Sequence, residues 1–304
     1  MNKIIVTGAT GSIGQTLVRE LTARGDKVLV FTRNPEAAEK KTAGAGNFVR
    51  WDYEKLDGWM NELNGVDIVV HLAGVNLGAK RWNKAYKKFA YESRIISTRK
   101  LIEAIRSVEQ KPKVFICASG IGIYGERYDE ILDESSLAGN DFLATLCNDW
   151  ENEAAKVEQY GVRRVSVRTS PVLMKDEGAL KKMLLPFKLF LGGPLGNGKQ
   201  WFPWIHIDDI IGMYLKAIDD ENISGSVNAA SPGIVTMNEF AMTLCKVLKR
   251  PSAFPVPKFI MKFAAGEVAD YAVMSQRTSV EKILNAGYKF KFENLEEALR
   301  DLLK

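Results

Sequence analysis

Eight residues near the start of the chain, Thr7-Gly8-Ala9-Thr10-Gly11-Ser12-Ile13-Gly14, have the types and spacing to hold a phosphate. They follow the apolar run Lys3 to Thr7 (KIIVT) and lead into Ile13, Leu17 and Leu21 at helical spacing. In a strand–loop–helix of this kind Gly8 permits the tight turn, Gly11 lets a pyrophosphate approach the backbone, and Gly14 lets the helix pack on the strand. The helix N-terminus adds free N–H groups and partial positive charge. The spacing is GxxGxxG rather than GxGxxG. A P-loop needs Gly at position 9 and Lys at position 15, where this chain has Ala9 and Gln15, so the pattern argues against an NTPase. The next apolar run ends in Phe31-Thr32-Arg33-Asn34. NAD sites carry an acid there, about 20 residues past the loop, for the ribose 2′-hydroxyl. Here Arg33 stands instead, with no acid until Glu36. A guanidinium clasps a 2′-phosphate bidentately, so these residues predict NADP(H) over NAD(H). A solvated surface arginine is the other reading of Arg33.

The elements that must position these groups alternate. Strands are predicted at Lys3 to Thr7, Val28 to Thr32, Asn47 to Trp51, Asp67 to Leu72, Lys113 to Ala118 and Arg164 to Arg168. Helical stretches are predicted from Ile13 to a stop at Gly25, from about Trp82 to Ser107, and from about Asp141 to Tyr160. That alternation implies an α/β fold, a doubly wound (Rossmann) mostly parallel sheet with right-handed crossovers. After Ser170 the texture changes: a Gly/Pro-rich loop from Leu191 to Gly198, the aromatic and then acidic stretch Trp201 to Asp209, and prolines at 251, 255 and 257. The expected division is a dinucleotide-binding domain of residues 1–170 plus about 205–230, and a smaller C-terminal substrate domain of about 171–204 plus 231–304.

Composition narrows the function classes. The chain has 304 residues, 46% of them apolar and 26% charged, enough for a sizeable core. A net charge of +5 suits an anionic ligand but, without a clustered basic face, does not argue for nucleic acid. The basic stretch Lys80, Arg81, Lys84, Lys87 and Lys88 reads as a solvated helix face. Cys117, Cys147 and Cys245 are odd in number and far apart, and His71 and His206 are the only histidines, which argues against a disulfide framework or a metal site. No apolar run has the length of a transmembrane helix or a signal-peptide core, so a cytoplasmic protein without membrane partners is expected.

The loop, Asp52 after the third strand, His71-Leu72-Ala73-Gly74 after the fourth and Tyr124-Gly125 after the fifth resemble the short-chain dehydrogenase/reductase superfamily, in its extended, nucleotide-sugar-epimerase-like branch. More narrowly, the chain resembles an atypical bacterial "epimerase family protein" group with a C-terminal domain of unknown function. That match rests on Arg81-Trp82, Ser93-Arg94, Asp149-Trp150-Glu151, Leu191 to Gly198, Trp204 to Asp209, Pro255-Val256-Pro257 and Ala286-Gly287-Tyr288, and it spans essentially the whole chain. The resemblance implies that Gly8, Thr10, Gly11, Ser12 and Ile13 hold the pyrophosphate. It implies further that Thr32 and Arg33 meet the adenosine ribose and its phosphate, and Asp52 the adenine edge. Leu72, Ala73 and Gly74 would line the central cofactor path, with Arg94 reaching in from the following helix and Val172 packing near the nicotinamide. Homodimers are common in the extended branch, and a homodimer is left open here.

The superfamily's proton relay, a Ser/Thr with a YxxxK pair in which the Lys lowers the Tyr pKa, is missing. The helix that should carry it reads Asp141 to Glu151 (DFLATLCNDWE), placing Phe142, Leu143 or neighbours at the Tyr position and Leu146 or Cys147 at the Lys position. Ser119 and Tyr124 are the remaining candidates for polar contact at the reacting carbon, with packing as the other reading of Tyr124. Cys147 reads as helix core, and Glu151 as either a packing anchor or an acid. Gln200, Trp204 and His206 are candidate substrate contacts; the loop before Gln200 can fold over a ligand, with Trp201 and Trp204 as apolar walls. His206 reads equally as a structural histidine, and Asp208 or Asp209 as the cap of the helix that follows. The sequence thus predicts an NADP(H)-binding oxidoreductase or epimerase-like protein acting on a small polar substrate such as a nucleotide sugar. A non-catalytic NADPH sensor is the alternative.

Overall fold

The structure, a computed structural model, describes residues 1–42, 44–55, 58–190, 192–251 and 255–304, with the side chains of 264 and 265 left aside. Leu191, at the head of the expected Gly/Pro-rich loop, lies outside the described residues. One seven-stranded sheet organises the chain: β1 (Lys3–Thr7), β2 (Lys27–Thr32), β3 (Asn47–Arg50), β4 (Ile68–His71), β5 (Val114–Gly120), β6 (Arg163–Thr169) and β7 (Gly225–Ala229). All neighbours pair in parallel, in the order β7-β6-β5-β4-β1-β2-β3. The order reverses between β1 and β4, which opens a crevice at their carboxyl ends, where open α/β sheets bind ligands. The helices are α1 (Ser12–Ala23), α2 (Pro35–Glu39), α3 (Lys84–Ser107), α4 (Phe142–Ala155), α5 (Gly178–Lys188), α6 (Ile207–Asp219), α7 (Met237–Leu248), α8 (Lys258–Ala265), α9 (Val268–Ala272), α10 (Glu281–Asn285) and α11 (Leu295–Leu302).

All but the edge strands β3 and β7 form because their β-branched and apolar residues are buried on both faces, as a parallel sheet between helices demands. In β1, Ile4 and Val6 face the core shared with α1 and α6, and Ile5 faces the one shared with α3 and α4. Helix starts are fixed by side-chain caps: Asn34 on α2, Asn83 on α3, Asp141 on α4 and a Thr236–Glu239 capping box on α7. The helix expected over 141–160 ends as α at Ala155 and tightens into a 3₁₀ turn through Tyr160.

The C-terminal part has its own core. Trp204, Phe240, Leu244, Leu295 and Leu299 pack with α5 residues Leu180, Leu184 and Phe187. The α8–α9 segment lies against the segment leading into α3. There Arg81 Nη2 donates to the Phe263 carbonyl at 2.6 Å, and Lys87 pairs with Glu267. Trp82 sits between Phe142 and Tyr271, with ring centroids 5.3 and 5.0 Å away. Among the described residues no helix is long and apolar enough to cross a membrane.

Candidate functional site

The glycine loop turns sharply out of β1. Gly8 has φ +69°, and a Cβ there would lie 2.6 Å from the Leu72 carbonyl carbon, so only glycine fits between β1 and the segment after β4. A Cβ on Gly14 would lie 2.7 Å from Ala9 Cα, which is why α1 can press so closely onto the loop. Gly11 stands at the N-cap of α1 with no side chain capping it. The first N–H groups of a twelve-residue helix are therefore left for an external acceptor.

That N-terminus opens on a cavity of about 400 Å³. Gly8, Thr10 and Gly11 form one wall, Thr32, Arg33, Asn34 and Lys41 the end beyond β2, and Leu72 to Val75 the floor beside β4. Trp51 and Tyr53, with Phe89 and Ser93 from α3, close the remaining side. Neither Arg33 nor Lys41 forms an ion pair among the described residues, and no carboxylate lines the cavity. Burial raises the pKa of Tyr53, and Arg33 nearby opposes that rise. The lining thus fits an anionic, partly aromatic ligand: donors for a diphosphate in the middle, two free cations at one end, aromatic walls beside them.

Several residues expected here stand elsewhere. Ser12 donates its hydroxyl to Glu177 and lines a separate cleft with Gln15 and Arg19. Ile13 packs into the core under α1. Asp52 is exposed; its carboxylate accepts the Glu54 N–H at 3.0 Å, and its neighbours Trp51 and Tyr53 line the cavity instead. Val172 pairs with Ile205 and packs on the core without lining the cavity. Lys41, Trp51, Tyr53 and Phe89 also line it, with no assignment from the sequence, and Ser93 lines it as part of the Ser93-Arg94 motif. The aromatic residues flanking Asp52 were the one available signal.

His71 is fully buried, with Nδ1 2.7 Å from the Thr7 hydroxyl and Nε2 3.1 Å from that of Thr98. Burial, helped by the Arg94 charge, drives its pKa down to about 3, so the ring is neutral. It ties β1 to β4 and α3. The Thr7 hydroxyl also accepts the Ala73 N–H at 3.2 Å, which sets the path of Leu72 to Gly74.

Ser119 and Tyr124 are brought together, but inside a buried polar network rather than at the cavity. Ser119 donates to Glu151 at 2.7 Å, and Arg168 clasps Glu151 with two bonds of 2.9 Å. Arg168 also donates to the Tyr124 hydroxyl at 2.9 Å, and that hydroxyl donates to Asn228 at 2.6 Å. Tyr124 is 0% exposed, and burial pushes its pKa up to about 12 despite Arg168, the wrong direction for a proton relay. Burial opposes ionisation of Glu151, but Arg168, Ser226 and Ser119 outweigh it and hold its pKa below the usual carboxylate range. At the relay positions of α4 a Cβ on Gly120 would meet the Cys147 sulfur at 3.7 Å, and one on Gly122 would meet Leu143 at 3.3 Å. Burial pushes the Cys147 thiol up to about 12.

The three candidate substrate residues are structural in their contacts. Trp204 is fully buried and donates to the Gly233 carbonyl at 2.9 Å. His206, not Asp208 or Asp209, caps α6: its Nδ1 accepts the Asp208 N–H at 3.1 Å. Its ring stacks 3.9 Å from Phe292, and burial lowers its pKa. Asp209 is buried and accepts the backbone N–H groups of Lys291 and Phe292 at 2.7 and 3.0 Å. Gln200 donates its amide to the Leu195 carbonyl at 2.8 Å and edges a polar cleft with Glu126, Lys199 and Ser275, away from the glycine loop.

A doubly wound sheet with an uncapped glycine loop at its crevice defines the class: a dinucleotide-binding α/β protein. Residues 4–230 match the model of the NAD dependent epimerase/dehydratase family, and residues 256–302 that of a domain of unknown function, DUF1731. The chain belongs to the NAD dependent epimerase/dehydratase family. It is 36% identical over 304 residues to an epimerase family protein of Staphylococcus haemolyticus, covering 100% of this chain and 99% of the relative. The epimerase family protein YfhF of Bacillus subtilis is 36% identical over 301 residues, with 99% and 97% covered. Among solved structures, the human epimerase family protein SDR39U1 with NADPH superposes with a TM-score of 0.88 at 32% identity, covering 98% of each chain. A UDP-glucuronic acid 4-epimerase of Bacillus cereus, in complex with its sugar nucleotide and NAD, shares the fold at a TM-score of 0.79 and 20% identity, covering 99% and 98%.

Proposed function

We propose that this chain is an NADPH-binding oxidoreductase or epimerase-like protein that acts on a small polar substrate, a nucleotide sugar being the class the family suggests, without a YxxxK relay. The observation that carries the reading is the cavity itself: an uncapped helix N-terminus at its centre, and Arg33 with Lys41 at the end of β2 where an NAD site has an acid. NADPH, the ligand of the human relative, fits that donor set, and the 2′-phosphate accounts for the two free cations. The bound nicotinamide would supply hydride chemistry. The chain's own part is to hold the diphosphate on the N–H groups of α1, clasp the 2′-phosphate with Arg33 and Lys41, and flank the adenosine with Trp51 and Tyr53. With Phe142, Leu143 or a neighbour at the Tyr position and Leu146 or Cys147 at the Lys position, the proton taken up when hydride reduces a carbonyl would come from water.

The second reading is a protein that binds NADPH without turnover, and the absence of a Tyr and a Lys from the Asp141 to Glu151 stretch favours it. Titration of the cofactor-stripped protein with NADPH and NADH tests the shared premise. NADPH binding at least tenfold tighter is expected, and binding of neither would overturn both readings. A screen of nucleotide sugars for NADPH oxidation then separates them.

A further inference from the structure

Arg94 is the one candidate-site cation that is buried. It is 9% exposed, and among the described residues no carboxylate lies within 4 Å of it. Its Nη1 donates to the Ala90 carbonyl and its Nη2 to the Val75 carbonyl, each at 3.0 Å, and its Cζ lies 5.1 Å from the centre of the Trp150 ring. A guanidinium has five N–H donors and stays charged in a protein, so most of its donors remain unused, and two carbonyls and a ring face meet the charge where no carboxylate among the described residues does.

The charge lies directly behind the cavity. Gly74 lines the cavity floor, and a Cβ on it would lie 2.9 Å from Arg94 Cζ, so the bare glycine lets the guanidinium approach that wall. The groups facing Arg94 cannot neutralise it. Cys117 and Cys147 have thiol pKa values raised by burial, and the His71 ring is neutral. Glu151 is already clasped by Arg168. A dinucleotide lies across the crevice where strand order reverses, with one mononucleotide half on each side. With Arg33 marking the adenosine half on the β1–β2 side, the nicotinamide half falls on the β4–β5 side, where Arg94 stands.

We propose that this site selects the reduced dinucleotide over the oxidised one, and that Arg94 is the residue that makes the distinction. The inference rests on the NADPH reading above. The oxidised nicotinamide ring carries a positive charge and the reduced ring none, so a guanidinium behind Gly74 with no carboxylate partner among the described residues repels only the oxidised form. Arg94 is itself buried, so that repulsion is screened less than one between two surface charges.

The test is direct binding to the stripped protein of NADPH, NADP⁺ and 2′-phosphoadenosine diphosphoribose, which lacks the nicotinamide. NADPH is expected to bind at least tenfold more tightly than NADP⁺, which for a two-electron couple raises the potential of the bound cofactor by about 30 mV. Arg94→Met should bring the ratio toward one, and whatever it costs the nicotinamide-free fragment should be shared by both dinucleotides. Arg94→Lys, which keeps the charge, should retain the preference, and it carries the comparison if the Met variant fails to fold. Equal affinity of the wild type for NADPH and NADP⁺, or a folded Met variant with an unaltered ratio, would overturn the inference and leave the NADPH reading intact. Failure of all three ligands to bind would overturn both.

Discussion

Among the described residues Arg33 and Lys41 meet no carboxylate, whereas Ser119 and Tyr124 are committed to a buried network, and opposite outcomes follow when each is changed. Arg33→Ala should weaken NADPH binding about tenfold or more, the scale of a charged hydrogen bond worth ~1.5–3 kcal/mol, and leave NADH nearly unaffected. Isothermal titration of both dinucleotides checks this, and equal losses would mean that Arg33 does not meet the 2′-phosphate. Tyr124→Phe and Ser119→Ala each remove a bond from the Glu151–Arg168 network. Each should lower unfolding stability by about 1–3 kcal/mol with NADPH affinity unchanged. A fall in affinity without a fall in stability would put those hydroxyls at the ligand after all. Arg33 was legible in the sequence because its type and its place at a strand end both bear on the ligand. Lys41 and Tyr53 were not, because only the turns after α2 and β3 bring them to the cavity. Trp204 reads as a substrate wall, and His206 as a contact or a structural histidine, because an aromatic and polar cluster has the same composition whether it lines a pocket or plugs a core.

At the scale of elements, the Glu151–Arg168 pair joins α4 to β6, and through Ser226 and Asn228 it reaches β7. Removing one partner of a buried ion pair leaves an uncompensated charge. Arg168→Met should therefore destabilise the protein by about 3–5 kcal/mol, and the further change Glu151→Leu should restore part of that loss. Denaturant melts of the single and double variants check the cycle, and strict additivity would show the two side chains to be uncoupled. This network also explains the strand the sequence concealed. Six strands were legible from contiguous Val, Ile and Phe, but β7 reads GSVNA, too short and polar for the pattern. Its Ser226 and Asn228 are polar because they bond to Glu151 and Tyr124, far away in sequence, and no local periodicity carries that information. The capping of α6 was misread for a related reason. Asp209 has the right type for a cap, but the backbone of Lys291 and Phe292 claims it.

For the whole molecule, the two histidines impose one direction on stability. His71 and His206 are the only histidines of the chain, and burial lowers the pKa of both. In the unfolded chain each would titrate near 6.5. His71 does not take its proton in the folded state until about pH 3. Between those values the unfolded state binds more protons, so stability is complete above pH ~6.5 and falls as the pH drops, by up to ~1.4 kcal/mol per unit for one such group. At pH 5 His71 alone should cost about 2 kcal/mol relative to pH 7.5. His206 acts in the same sense. The depressed carboxylates Glu151 and Glu153 add their losses only at lower pH, because a carboxylate with a lowered folded pKa loses its contribution as the pH falls through that value. The expected record is thus a decline that begins near pH 6.5, partly offset at lower pH by Asp209, whose pKa burial raises so that the folded state takes its proton first. Urea unfolding at pH 7.5, 6.5, 5.5 and 5.0 measures it. His71→Asn, which keeps polar contacts but cannot charge, should be less stable at pH 7.5 and lose less between there and pH 5. A wild-type curve flat down to pH 5 would mean that His71 accepts its proton in the folded state, and the clamp of Thr7, Thr98 and Ala73 around a neutral ring would not stand as described.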